Sequence, residues 1–247
     1  MAYTTVFKRY ELKYLLTPEQ RERLLTVIFP HMQEDAYGCT TIRNIYYDTE
    51  SYRLIRHSLE KPIFKEKLRL RSYRTVTPAD TVFVELKRKY DGVVYKRRHP
   101  MAEAEATAWM EAGRHPHAVG QIAGEINYFL SHYRPLAPRV FLSYDREAYL
   151  ATEDDLRLTL DSRILARTDA LSLTAPPYGT PLIPDGMSLL ELKCAGGIPL
   201  WMVRFLSAEG IRRISFSKYG TAYRHLIYPT LFSKEALCHE KSFSGTF

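Results

Sequence analysis

Residues 65–73 read Lys65-Glu66-Lys67-Leu68-Arg69-Leu70-Arg71-Ser72-Tyr73. Side chains of an extended chain point alternately to opposite faces. A strand here therefore puts Lys65, Lys67, Arg69 and Arg71 on one face and Leu68 and Leu70 on the other.

The same alternation recurs on either side of this stretch and predicts strands over residues 8–15, 41–47, 64–73, 82–89, 93–99, 139–150, 156–161 and 188–193. In the first, Arg9, Glu11 and Lys13 oppose Tyr10, Leu12 and Tyr14. Glu85 and Lys87 oppose Val84 and Leu86, Lys96 shares a face with Arg98, and Tyr144 shares one with Arg146. Arg157, Thr159 and Asp161 oppose Leu156, Leu158 and Leu160, and Glu191 and Lys193 oppose Leu190 and Leu192. Every predicted strand except 41–47 thus has a charged face of mixed sign with an excess of base.

Helices are expected between the strands. Thr17-Pro18-Glu19-Gln20 opens one that runs to Phe29, with Thr17 as N-cap, Pro18 at the first position and Gln20 completing a capping box. Residues 102–112, 119–132, 199–208 and 218–227 read as four more. Tyr90-Asp91-Gly92 carries the Asp-Gly signal of a hairpin. The proline-rich run 174–186 reads as a long surface loop. The fold class is α+β with a largely antiparallel sheet.

The chain has 247 residues, of which 45% are hydrophobic and 26% charged, the composition of a folded protein. The reading is one domain over residues 1–230 and a weakly patterned tail over 231–247. No apolar run approaches the ~20 residues of a spanning helix, and residues 1–10 lack the apolar stretch of a signal peptide. The 3 cysteines include no CxxC pair, so a disulfide framework is not expected and a reducing cytoplasm is. Phosphate-binding glycine loops and an HExxH motif are absent. Lys plus Arg number 35 against 28 for Asp plus Glu, a net charge of +7 that suits an anionic partner.

Two architectures fit the charged faces. One is an open antiparallel sheet with a solvated face, the usual explanation for any single strand. The other is a closed barrel with the charges inside. Richness in Arg and in Lys–Glu pairs at i, i+2, with few Ser, Thr or Asn, suits the second. Confined bases repel one another and are costly to desolvate unless a polyanion neutralises them. Triphosphate or polyphosphate has the required charge spacing. The acids Glu11, Glu85, Asp161 and Glu191 would oppose that anion unless a divalent ion intervened.

The ordered segments RYELKYLL (9–16), IRNIYYDT (42–49), KEKLRLRSY (65–73), VFVELKRK (82–89), GVVYKRRH (92–99), LSYDREAY (142–149), LRLTLDSRI (156–164), LLELKC (189–194) and FSKYGTAY (216–223) together resemble the VTC domain. This is a polyphosphate polymerase module of the triphosphate tunnel metalloenzyme, or CYTH-like, superfamily. The resemblance spans residues 7–228. It implies a closed antiparallel β-barrel, a triphosphate tunnel, with helices packed outside. It also implies binding of ATP, triphosphate or polyphosphate and a metal-dependent phosphotransferase activity. Lys13, Arg69, Arg71, Lys87, Lys96, Arg146, Arg157 and Lys218 match tunnel residues that act on and hold the phosphates. Tyr144, Lys193 and Ser217 match further substrate-binding positions, and Glu191 matches a metal ligand for Mn²⁺ or Mg²⁺.

One departure separates the chain from the wider superfamily, whose hydrolases and cyclases open with ExExK. Here the run is Arg9-x-Glu11-x-Lys13. That favours the polymerase-like branch over an inorganic triphosphatase that needs two glutamates for metal. A non-catalytic polyphosphate or inositol-polyphosphate binder is the third reading. Nucleic-acid binding ranks last, because acids interleave with the bases on the same faces and no stacking motif is present. The resemblance also allows a membrane-protein partner.

Overall fold

A computed structural model describes residues 10–113 and 119–231. Ten strands form a single antiparallel sheet: β1 (Tyr10–Leu16), β2 (Met32–Glu34), β3 (Thr40–Asp48), β4 (Phe64–Ser72), β5 (Thr81–Tyr90), β6 (Val93–Ala102), β7 (Ala137–Ala151), β8 (Arg157–Arg167), β9 (Thr180–Pro181) and β10 (Ser188–Cys194). The main path runs β1-β10-β8-β7-β3-β4-β5-β6, with β2 paired to β7 and β9 to β8. Among the described residues no ladder joins β1 to β6. The expected closed barrel is therefore corrected: hydrogen bonds do not close this sheet. The start of the first expected strand, at Lys8 and Arg9, and residues 232–247 of the expected tail lie outside the described residues.

Side-chain parity decides what each face packs against. The outward apolar residues of β3, β4 and β5, including Ile45, Leu68, Leu70, Val84 and Leu86, bury beneath α3 (Glu103–Ala112) and α4 (Gln121–His132) with Trp109, Ile126 and Phe129. Those of β1, β8 and β10, including Tyr14, Leu158, Leu160, Leu190 and Leu192, bury beneath α1 (Pro18–Ile28) and α5 (Leu200–Ala208) with Leu24, Ile28 and Met202. The reciprocal Thr17–Gln20 capping box starts α1 as read from the sequence.

The opposite face is divided. One part carries the charged residues. The other is apolar: Ile42, Tyr46, Val140, Leu142, Ile164 and Leu189 pack against Tyr219, Ala222, Tyr223 and Ile227. These last belong to α6 (Lys218–Ala222) and the π-helical turn that continues it (Tyr223–Ile227). Ile55 and Leu59 of α2 (Arg53–Leu59) join the same cluster. Helices are thus not confined to the outside; α2 and α6 plug one part of the inner face.

Two local devices shape the sheet. Asp91 (φ 43°) and Gly92 (φ 81°) form the two-residue β5–β6 turn, both in the left-handed region that matches strand twist. A register shift between β7 and β8, at Arg163 (φ 45°), carries β8 beyond the predicted end at Asp161. The run 174–186 is not a free surface loop. It contributes β9, buries Leu182 and Ile183, and is held by hydrogen bonds from Arg43 to the Ala175 carbonyl (3.0 Å) and from Arg167 to the Tyr178 carbonyl (2.9 Å).

Candidate functional site

Strand register brings the charged residues of the inner face together as cross-strand neighbours. Lys13 stands opposite Glu191, Glu191 opposite Thr159, and Arg146 opposite Asp161. Across the other half, Arg69 faces Glu85, Glu85 faces Arg98, Lys67 faces Lys87 and Lys87 faces Lys96.

Two nodes result, each built round buried carboxylate. Glu85 receives two hydrogen bonds from Arg69 (2.9 and 2.7 Å) and ion pairs from Lys96 (2.9 Å), Arg98 (2.6 Å) and Arg71 (3.6 Å). β3 completes this node: Arg69 donates to the Tyr46 hydroxyl (2.8 Å) and Arg71 to Asn44 Oδ1 (2.9 Å). The second node holds Asp161 and Glu191. Arg146 binds Asp161 through two nitrogens at 2.6 Å each, and Lys218 donates to the same carboxylate. Glu191 lies 3.2 Å from Lys218, 3.3 Å from Lys13, 3.5 Å from Arg146 and 3.6 Å from Lys193. Tyr144 bridges the nodes: Arg71 donates to its hydroxyl (3.3 Å), and Arg146 and Lys218 lie against its ring.

The electrostatics follow. Burial raises the carboxyl pKa of Glu85, and Arg69, Arg71 and Lys96 more than reverse this, so it stays well below the usual range. Glu191 is likewise held well down by Lys218, Lys13 and Lys193 against the effect of burial. Burial lowers Lys218, but Asp161 and Glu191 outweigh it and raise the ammonium pKa. Burial raises the Tyr144 hydroxyl, and Arg71, Arg146 and Lys218 outweigh it, bringing it down to about 8. Burial brings Lys96 down to about 8 despite Glu85.

The sheet also curls. Burial raises the Glu11 carboxyl, yet its pKa falls to about 2, and the strongest charge lowering it is Lys87, ahead of Lys13 on its own strand. Lys13 of β1 and Lys67 of β4, well separated in the strand order, reach adjacent residues: Lys13 donates to the Phe216 carbonyl (3.0 Å) and Lys67 to the Ser217 hydroxyl (3.2 Å). The two flanks therefore face each other across a basic trough although no backbone ladder joins them.

The helical plug supplies the last members. Ser217 caps α6 by accepting from the Gly220 N–H (3.2 Å), which points the next residue, Lys218, into the second node. Tyr219 anchors the turn by donating to buried Asp48 (2.9 Å). Lys13 donates to the Phe216 carbonyl (3.0 Å), tying β1 to this segment.

Of the residues expected from sequence, Lys13, Arg69, Arg71, Tyr144, Arg146, Glu191, Lys193 and Lys218 join the two nodes, Lys96 sits at the open edge of the first, and Lys87 and Ser217 face the same trough. Arg157 is not gathered in; it is 44% exposed and lies 3.7 Å from Asp35 at the rim. Asn44, Tyr46 and Lys67 have no role expected from the sequence, and Glu85 and Asp161, expected there to oppose the anion, organise the nodes instead. Only Lys67 carried a signal, the parity it shares with Arg69.

For a divalent ion, the test is the donor set. Among the described residues no group of three or more His, Cys, Asp or Glu converges as a metal cage. Both Glu191 oxygens already contact cations. Glu191 fits a metal only if phosphate oxygens complete the shell.

The geometry defines a class: an antiparallel α+β protein with a curled, basic inner face, similar in fold to the triphosphate tunnel proteins. A family model, the VTC domain, matches residues 8–227, and the chain belongs to that family. Two solved structures are similar in fold. A candidate adenylate cyclase from Bacillus halodurans is 16% identical with a TM-score of 0.55, covering 90% of this chain and 100% of its own. A candidate adenylyl cyclase from Hippeastrum, reported with a dominant triphosphatase activity, is 17% identical with a TM-score of 0.52, covering 87% of this chain and 94% of its own. No curated protein matches the sequence. Among the described residues, no helix is long and apolar enough to cross a membrane.

Proposed function

We propose that the chain binds ATP or inorganic polyphosphate along the basic trough and transfers phosphoryl groups between them, as a polyphosphate polymerase does. One observation carries the reading: Lys13, Lys67, Arg69, Arg71, Lys87, Lys96, Arg98, Arg146, Lys193 and Lys218 line one inner face against Glu11, Glu85, Asp161 and Glu191. That surplus of base matches a chain of closely spaced phosphates. Membership of the VTC domain family supports the same substrate class.

The chemistry asked of the protein is positioning and neutralisation. Phosphoryl transfer spreads charge over the equatorial oxygens of a loose transition state. Arg69, Arg71 and Arg146 are already fixed by carboxylate, tyrosine and asparagine partners, so little reorganisation is needed to present them. Lys218 and Ser217, fixed by the α6 cap, would hold the reacting phosphoryl group, and no covalent nucleophile is required. Mg²⁺ or Mn²⁺ arriving with the polyphosphate would bind at Glu191 and neutralise phosphate charge there.

A second reading, triphosphate hydrolysis, draws support from the activity reported for the Hippeastrum neighbour. Water would replace the phosphate acceptor in the same trough. Incubating the purified protein with ATP and Mn²⁺ and resolving the products separates the two. Polyphosphate chain growth is the expected result. Orthophosphate alone moves the assignment to hydrolysis, and neither product leaves a binding module.

A further inference from the structure

The two carboxylate nodes leave one stretch of the trough with no carboxylate at ion-pair distance among the described residues. Lys67 on β4 stands opposite Lys87 on β5, and Lys87 stands opposite Lys96 on β6. Like charges directly opposite on neighbouring strands destabilise a sheet. Lys96 is relieved by Glu85, 2.9 Å away, and Lys87 lies near Glu11. Lys67 has no such relief. Among the described residues its Nζ has one hydrogen-bond partner, the neutral Ser217 hydroxyl at 3.2 Å, and no carboxylate within ion-pair distance.

The charged groups that weigh most on it are cations. Lys65 and Arg69 flank it on its own strand, Lys87 comes from β5 and Lys13 from β1. The next β3 residue beyond the Tyr47–Leu68 pair is Asp48. Its carboxylate is occupied by the backbone N–H groups of Thr49, Leu54 and Ile55 and by the Tyr219 hydroxyl. The plug contributes only Ser217 at this point.

We propose that Lys67 stands as a neutral amine in the ligand-free trough and gains a proton when a polyphosphate settles between Lys67, Lys87 and Ser217, which makes binding a proton-uptake event. The inference rests on the reading of the trough as a polyphosphate site. A neutral amine is what four neighbouring cations and one hydroxyl favour. Once phosphate oxygens enter, the ammonium becomes the favoured form, because it then has three donors to give to an anion. The proton comes from solvent buffer, and no covalent bond changes. In agreement, burial together with Lys87, Lys65, Lys13 and Arg69 brings Lys67 down to about 7.

The consequence is a pH-dependent affinity for which this lysine is responsible. Above pH 7 the free amine must be protonated to bind, so affinity falls about tenfold per pH unit relative to a permanently charged side chain. Below pH 7 the difference vanishes.

Calorimetry of metal-free protein with tripolyphosphate, in buffers of differing ionisation enthalpy at pH 8 and pH 6, reads the protons directly. Wild type is expected to take up about one proton more than Lys67→Arg at pH 8 and to match it at pH 6. Lys67→Met should lose the same proton and bind more weakly than Lys67→Arg. Equal uptake by wild type and Lys67→Arg at pH 8, with both binding, overturns this inference and leaves the trough reading intact. Absence of any tripolyphosphate binding by wild type overturns both. A ligand-free arm is independent of the variants: the Lys67 side-chain resonance in ¹³C NMR should titrate near pH 7, and titration near pH 10 defeats the proposal.

Discussion

Arg146 and Asp161 face each other across β7 and β8 and meet through two parallel hydrogen bonds, each 2.6 Å long. Asp161 is fully buried and also accepts from Lys218. One carboxylate therefore holds two cations in place before any anion arrives.

Replacing Asp161→Asn keeps the shape and removes that charge. Taking one member from a buried ion pair costs roughly 3–5 kcal/mol. The ligand-free variant should melt well below wild type. Tripolyphosphate should restore much of the loss, because it supplies the missing negative charge. Scanning calorimetry with and without tripolyphosphate checks both halves, and an unchanged melting temperature in the free protein would remove Asp161 from the account.

The same carboxylates set the acid limit of stability. Glu11 is displaced from 4.5 to about 2, and Glu85, Asp161 and Glu191 are also lowered, in each case by neighbouring cations outweighing burial. A carboxyl with a lower pKa in the folded state binds its proton more readily when unfolded. Its contribution is complete above the unfolded value and is lost as pH falls through the folded one. Urea midpoints should hold between pH 7 and about 5 and then fall steadily toward pH 2. A midpoint that stays level to pH 3 would show that these ion pairs contribute little.

Exposure separates two arginines that the sequence put in one class. The Arg69 side chain is 15% exposed and tied to Glu85 and Tyr46, whereas Arg157 is 44% exposed at the rim. Arg69→Ala should weaken tripolyphosphate binding by about 2–5 kcal/mol. Arg157→Ala should weaken it by only ~0–1 kcal/mol. Titration of both variants under one buffer decides the matter, and equal losses would mean that Arg157 swings into the trough with ligand.

Tyr219→Phe tests the plug. The hydroxyl donates to Asp48, a buried carboxyl whose pKa burial raises despite that bond and three backbone donors. Losing the donor should destabilise by about 1–3 kcal/mol. It should also lower activity, since Tyr219 follows Ser217 and Lys218 on the anchored turn. A variant with wild-type stability and turnover would show that the plug is held by its apolar contacts alone.

Much of this arrangement was legible in strand parity. The charged face of residues 65–71 and the apolar face of Leu68 and Leu70 sit as two-residue alternation requires. What parity could not give is where along a strand the inner face changes character. Leu189 and Glu191 share a face of β10, yet Leu189 packs against the plug and Glu191 joins the cations. That division is made by α2 and α6, and α2 has no sequence signal: its N-cap is Tyr52 in the left-handed region with no side-chain cap. Asn44 and Tyr46 escaped because β3 shows no charge alternation, although their polar groups orient Arg71 and Arg69. The end of β8 escaped because the irregularity at Arg163 breaks the period. The lack of a β1–β6 ladder among the described residues is a matter of long-range pairing that no local pattern records.

The central claim is that the inner face is a built site for a chain of phosphates and not a diffuse basic surface. Calorimetry of tripolyphosphate against orthophosphate at two ionic strengths tests it most directly. The longer anion can span both nodes at once, so it should bind far more tightly than orthophosphate and retain most of that advantage at the higher salt concentration. Equal affinity for the two anions, collapsing together as salt rises, would contradict it.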